Sequence, residues 1–237
     1  MGLRLAAMQP YLFPYVGYFQ LLRNCDAFVL LDDVQYIRRG WVNRNSILQG
    51  NRPVRFTLPV VKHRQETRIL DIRVDPARYG RFREKLLRAL HHAYGKEKRF
   101  EEIHALIASV LTPEARTLCS LASSSVAAVC DYLGLDTPIH RASETAPRRP
   151  GTRSEQILAL CAAFGGSEYL NPIAGSPLYQ RDVLAGGGCR LLALIPNIPD
   201  ALCDPVSRRP LSIIDSLMRF DRQYLRTVLD QAVVSAP

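Results

Sequence analysis

Residues 3–33 read LRLAAMQPYLFPYVGYFQLLRNCDAFVLLDD. Two short apolar runs, Leu3–Met8 and Ala27–Leu31, flank a segment suited to a helix over Tyr15–Asn24. Apolar runs of that length, bounded by turn residues, read as buried strands. Pro10 and Pro14 bias the residues before them away from helical backbone, so the helix has to start after Pro14. Strand, helix and strand make a β-α-β unit, with a parallel pair and a right-handed crossover expected. The stretch therefore predicts an α/β fold built on a Rossmann-like parallel sheet.

The passage between the strands is unusually aromatic. Gln9–Leu22 holds Tyr11, Phe13, Tyr15, Tyr18 and Phe19. A surface loop needs none of this bulk. The carboxyl ends of parallel strands are where open α/β sheets bind ligands. Gln9, Tyr11, Tyr15 and Tyr18 are therefore candidate substrate-binding residues, with rings suited to stacking a sugar or base. Gly17 allows close approach of a ligand or another backbone. Phe13 and Phe19 suit the core equally well.

The second strand ends in DDVQYIRRGWVNRN, residues 32–45. Asp32 or Asp33 is placed to orient a hydroxyl, bind a cation or accept a proton. Gln35, Arg38, Arg39, Asn43, Arg44 and Asn45 crowd the next interval. Amides and forked guanidinium donors in this density suit a phosphate, a carboxylate or sugar hydroxyls. Arg44 joins Asp32 and Asp33 as a candidate catalytic residue. Trp41 is an odd choice for a merely solvated loop. Further along, His63 lies between Lys62 and Arg64, placed to close over a phosphate. Ser176, in NPIAGSPLY (171–179), stands at a turn into a helix whose free N–H groups can receive an anion.

The remaining pattern divides the chain. Arg52–Val60 and Thr67–Val74 read as a strand pair. Pro76–His92, Phe100–Leu111, Pro113–Leu133, Ser154–Phe164 and Leu211–Phe220 read as helices, with Thr112 and Ser212 as caps. Residues 143–154, SETAPRRPGTRS, read as a loop or lid. The reading is an α/β domain over 1–142 carrying the candidate pocket, and a mixed, mostly helical part over 155–237.

Composition narrows the class. The chain has 237 residues, 47% hydrophobic and 22% charged, ordinary for a globular protein. No apolar run approaches a membrane span, and prolines and tyrosines interrupt the N-terminal apolar run, so a cytoplasmic protein without membrane association is expected. Six cysteines form no CxxC pair, so no metal site is expected and buried thiols are. The net charge of +9 reads as scattered arginine, with clusters at 38–39, 148–149 and 208–209. A polyanion partner is the competing reading.

QPYLFPYVGYF (9–19), DDVQYIRRGWVNRN and the spacing between them resemble the WbqC-like protein family. A weaker match runs through FTLPV, ILDIRVD and LSIIDSLM. The family is met in clusters for O-antigen and other surface-polysaccharide synthesis, and in some specialised-metabolite clusters. Near residues 169–179 that family usually carries a YLSG-like stretch, from which this sequence departs. The opening is also similar to the HxGH nucleotidyltransferases and pantothenate synthetases, with Tyr15-Val16-Gly17-Tyr18 in the HxGH place. The glycine matches and both histidines are tyrosines. Tyrosine donates a hydrogen bond but carries no positive charge. Either Arg38, Arg39 or Lys62 supplies the charge at a donor phosphate, or the fold serves another reaction.

These resemblances imply a transferase or ATP-dependent ligase acting on an amino-bearing small molecule, a sugar or nucleotide-linked sugar, with aminoacyl transfer as one form. The cofactor is open, with ATP and magnesium a candidate. The expected partner is an anionic or sugar-containing small molecule. tRNA as aminoacyl donor, a non-catalytic scaffold of a biosynthetic complex, and homo-oligomer formation are the alternatives.

Overall fold

The structure, a computed structural model, describes residues 2–146, 148 and 150–236. It opens with β1 (Leu3–Met8), α1 (Val16–Arg23) and β2 (Ala27–Leu30). A long insertion follows: β3 (Arg44–Gln49), β4 (Arg52–Thr57), α2 (Pro76–Tyr94), α3 (Phe100–Val110) and α4 (Leu118–Leu133). The chain then returns through β5 (Ile139–Arg141), α5 (Ala142–Thr145), α6 (Arg153–Phe164), β6 (Gly166–Pro172), α7 (Arg181–Gly186) and β7 (Arg190–Ile195). It finishes with α8 (Ile213–Arg219), α9 (Arg222–Asp230) and β8 (Val233–Ser235).

Six strands form the central sheet in the order β5-β2-β1-β6-β7-β8. All neighbouring pairs are parallel except β7 with β8. This is a Rossmann-like α/β arrangement, as the opening unit predicts. Strands from both sides of the 143–154 segment share the sheet, because β6 pairs with β1, Leu5 facing Tyr169 and Ala6 facing Leu170. The chain builds outward from β1 to β2 and β5, then returns to the other side of β1 for β6 and β7. The reversal lies between β1 and β6, and a crevice at their carboxyl ends is the expected ligand position.

Side chains alternate across each strand. Leu5, Ala7, Ala27, Val29 and Tyr169 pack with Ile157, Leu160 and Cys161 of α6 and Leu184 of α7. Ala6, Phe28, Leu30 and Leu170 face the larger cluster with α1, α4, α8 and α9. The near-continuous apolar runs that mark β1 and β2 follow from burial on both faces.

Three predicted elements differ. The hairpin is β3 with β4, and Thr67–Val74 is no strand. Gly50 and Asn51 both have positive φ, 55° and 60°, the backbone a two-residue hairpin turn requires. Thr67–Val74 instead holds a single 3-10 turn at Ile69–Asp71. Its N–H groups go to different partners, Ile69 to the Val34 carbonyl and Leu70 to that of Asp32, both at 2.9 Å. The helix expected from Pro113 begins at Leu118, capped by Thr117. Arg116 and Thr117 bridge to 72–74 in extended form, flanked by the Leu118 N–H bonding the Ile72 carbonyl at 2.9 Å, and this holds them out of the helix. NPIAGSPLY forms a 3-10 turn over Ile173–Leu178, with Pro177 inside it. Within 143–154, residues 143–145 belong to α5 and 153–154 to α6, while Pro147 and Arg149 lie outside the described residues.

One buried carboxylate joins the insertion to the C-terminal helices. Asp215, fully buried on α8, accepts from the Tyr94 hydroxyl at 2.6 Å and from Arg219 at 2.9 Å. The Tyr94 oxygen in turn accepts the Leu48 N–H of β3 at 3.0 Å. Removing the carboxylate strands the buried Tyr94 hydroxyl and a partly exposed guanidinium. Asp215→Ala is expected to lower unfolding free energy by about 2–4 kcal/mol, read from the urea midpoint at constant slope.

Candidate functional site

The aromatic passage is a pinned turn. Phe13 has a left-handed backbone, φ 45°, although a proline follows it and its side chain is fully buried. Such a conformation costs about 1–3 kcal/mol and persists only where the surroundings over-determine it. Here three separate elements hold it. The Phe13 N–H donates to Ser125 Oγ of α4 at 2.9 Å. Its carbonyl accepts from Asn45 Nδ2 of β3 and from Ser212 Oγ at the start of α8, each at 2.8 Å.

The turn sorts the aromatic side chains. Tyr18 is core: its ring contacts Tyr11, Phe19 and Phe28, and its hydroxyl donates to the Gln9 carbonyl at 3.0 Å. Burial first, and the neighbouring Tyr11 after it, push its pKa well up. Tyr11 and Tyr15 are half-buried, and burial raises both phenols. Gly17 is where the Tyr15 ring rests; a Cβ there would lie 2.4 Å from a ring carbon.

Asp32 and Asp33 lie just past the end of β2 and differ sharply. Asp32 is satisfied: Oδ1 accepts the Ser143 N–H at 3.0 Å and Oδ2 the Ser143 hydroxyl at 2.7 Å. Asp33 is 6% exposed. Its Oδ2 accepts the Arg148 N–H at 3.1 Å, while its Oδ1 is buried with no partner among the described residues. Burial raises the Asp33 pKa above the ordinary carboxylate value; the Asp32 charge adds to this, and the Arg148 N–H opposes it. Arg68, bonded to Asp71 at 2.8 Å, also feels the Asp33 and Asp32 charges.

The other side of the reversal carries a second unpaired group. Asn171, near the end of β6, is buried; its Oδ1 lies 3.3 Å from the Tyr169 hydroxyl, whose single proton it shares with the Tyr179 oxygen at 3.0 Å. Gly175 gives Asn171 room, since a Cβ there would come within 2.4 Å of Nδ2. Ser176 follows, its Oγ buried without a partner among the described residues.

The remaining candidate residues point elsewhere. Asn43 Nδ2 donates to the Leu58 carbonyl at 2.8 Å, and Asn45 is spent on Phe13. Gln35 bonds the Gln65 carbonyl at 2.8 Å and Arg38 the His63 carbonyl at 2.6 Å. His63 packs edge-on against Tyr36, its Nδ1 3.0 Å from the Val61 carbonyl. Arg39 is exposed, with φ 60°. Arg44 lies over Trp41. No described contact joins Arg38, Arg39 or Arg44 to either aspartate. No group of three or more His, Cys, Asp or Glu among the described residues is placed to hold a metal ion. Among them too, no helix is long and apolar enough to cross a membrane.

The sequence pattern of the WbqC-like protein family matches residues 9–227. The chain belongs to the WbqC-like family. It is also similar to Uncharacterized protein Rv1507c of Mycobacterium tuberculosis (strain ATCC 25618 / H37Rv), 30% identical over 181 residues, 75% of this chain and 76% of the relative. No solved structure matches.

This WbqC-like chain gathers groups that the sequence reading overlooked: Ser143, Arg148, Arg68 and Asn171. Asn171 alone carried a local signal, as the first residue of NPIAGSPLY. Ser143 and Arg148 stand 111 and 115 residues from their aspartates.

Asp33 has a consequence for stability. Its folded pKa exceeds its unfolded value, so the folded chain holds the proton more tightly. The stability it contributes is present below the ordinary aspartate value of 3.8 and is lost as pH rises through the folded pKa. Asp33→Asn is expected to unfold at higher temperature than the parent at pH 7, the gap narrowing toward pH 4. Asp32→Ala, which frees the Ser143 donors, is expected to lose about 1–3 kcal/mol at pH 7. Thermal melts across that range check both.

Proposed function

We propose that this WbqC-like protein is a transferase or ATP-dependent ligase acting on an amino-bearing small molecule, a sugar or nucleotide-linked sugar, with Asp33 as its proton acceptor. One observation carries the reading: a buried carboxylate oxygen without a partner among the described residues, at the carboxyl end of a central parallel strand, on a group whose pKa is raised. A structural carboxylate is satisfied, as Asp32 is. A general base needs a free lone pair and a pKa nearer neutrality than an ordinary carboxylate has.

In such a reaction the amine nitrogen forms a bond to the acyl or phosphoryl centre, the leaving group departs with the bonding pair, and the ammonium sheds a proton. Asp33 Oδ1 is suited to take that proton. Asp32, through Ser143, fixes the start of α5 beside it. Arg68, which with Arg148 feels the Asp33 charge, supports an anionic donor group. Tyr11 and Tyr15 offer partly open rings for a sugar or base. Ser176 and Asn171 give hydrogen-bonding capacity on the β6 side of the crevice. Family membership supports small-molecule biosynthesis as the setting.

The test uses the full chain with ATP and magnesium, UDP- and dTDP-linked amino sugars and free amino acids, following products by mass spectrometry. Once a turned-over pair is found, Asp33→Asn is expected to slow turnover by about 100-fold or more while keeping the substrate-induced thermal shift. Full turnover by a folded Asp33→Asn protein contradicts the assignment.

A further inference from the structure

Residues 34–68 carry eight Lys or Arg and a single Glu, a local net of +7 against +9 for the whole chain. The excess positive charge is therefore concentrated on the hairpin and its flanking loops. Among the described residues, Arg38, Arg39, Arg44, Arg52, Arg55, Lys62 and Arg64 form no ion pair; only Arg68 has one, with Asp71.

The strand register sets how these cations stand. Arg44 faces Thr57 and Ser46 faces Arg55 across the hairpin, so Arg44 and Arg55 share its outer face as diagonal neighbours. Asn45, Ile47 and Phe56 fill the inner face. Both guanidinium groups lie over the Trp41 ring, 5.4 and 6.0 Å from its centroid, and Trp41 is 43% exposed. Arg44 Nε is buried without a partner among the described residues. From Arg44 the band continues past Tyr36. Burial raises that phenol's pKa, while the Arg44 and Arg38 charges both pull it down. Arg38 then reaches the His63 carbonyl, between exposed Lys62 and Arg64.

We propose that this band binds single-stranded RNA, its phosphates on the arginines and a base stacked at Trp41. Unpaired like charges held together by a folded hairpin repel one another, and a polyanion relieves that repulsion. The guanidinium fork matches phosphate oxygens. An exposed indole flanked by guanidinium planes is a stacking platform that bases of any sequence can use. An anionic lipid surface is the competing occupant, because Ile37 and Val61 are exposed beside Arg38 and Lys62; guanidinium forks beside an exposed indole favour phosphates with a stacked base. The surface is argued from its own charges and ring, and does not depend on the role given to Asp33.

Fluorescence anisotropy of a labelled twelve-nucleotide oligouridine RNA against the full-length chain tests this. Binding is expected to weaken from 50 to 200 mM salt with a log–log slope of about −2 to −3.5, for roughly three to five phosphates contacted. Trp41→Ala is expected to weaken binding about 10-fold at fixed salt, with the slope unchanged. Arg55→Ala with Arg64→Ala is expected to make the slope shallower by about 1.4. Circular dichroism confirms that the variants are folded. No binding at 50 mM salt, or an affinity indifferent to Trp41→Ala, overturns the proposal. So does tighter binding of the same-sequence DNA, of a duplex, or of phosphatidylserine vesicles.

Discussion

Everything near the candidate site depends on the backbone of Phe13. The residue sits in a left-handed conformation before a proline, and nothing local favours that. Three hydrogen bonds from α4, β3 and the α8 start hold it there. At about 0.5–1.5 kcal/mol net apiece, they match the strain they oppose. The same bonds tie the long insertion and the C-terminal helices to the end of β1. The turn thus does two things at once: it locks the architecture, and it aims Tyr11 and Tyr15 beside the carboxyl ends of the strands.

That arrangement explains why two adjacent aspartates have different fates. Asp32 closes a contact that fastens α5 to the end of β2. Asp33, one residue on, keeps an oxygen that no group in the described chain satisfies. Burying an acceptor this way costs stability, and folds keep such costs where something uses them. Ser176 repeats the pattern across the β1–β6 reversal. The cationic band proposed to bind RNA lies further along the same chain, past Val34, and rests on its unpaired charges and the Trp41 ring.

The opening β-α-β unit was legible because its signals are local: two apolar runs, two prolines and a glycine within 31 residues. The position of Asp32 and Asp33 at a strand end was legible for the same reason. Which of the two is satisfied was not, because the answer rests on Ser143 and Arg148, more than a hundred residues away. Asn43 and Asn45 illustrate the same limit. Their density in sequence suggested a ligand, and the fold turns both amides onto backbone carbonyls. The β3–β4 hairpin escaped because RNSILQ is a polar strand with weak alternation, and its turn is Gly-Asn, a quieter signal than Asn-Gly. The charge asymmetry was present in the sequence, but only the hairpin register shows that Arg44 and Arg55 share one face around Trp41.

The central claim is that Asp33 is an under-satisfied carboxyl whose protonation is favoured by its burial. Carbon-detected NMR titration of the Asp33 carboxyl in the unliganded protein measures this directly. The account predicts a midpoint clearly above the ordinary aspartate value of about 3.9. A midpoint at or below that value would show a stabilised carboxylate and contradict the account.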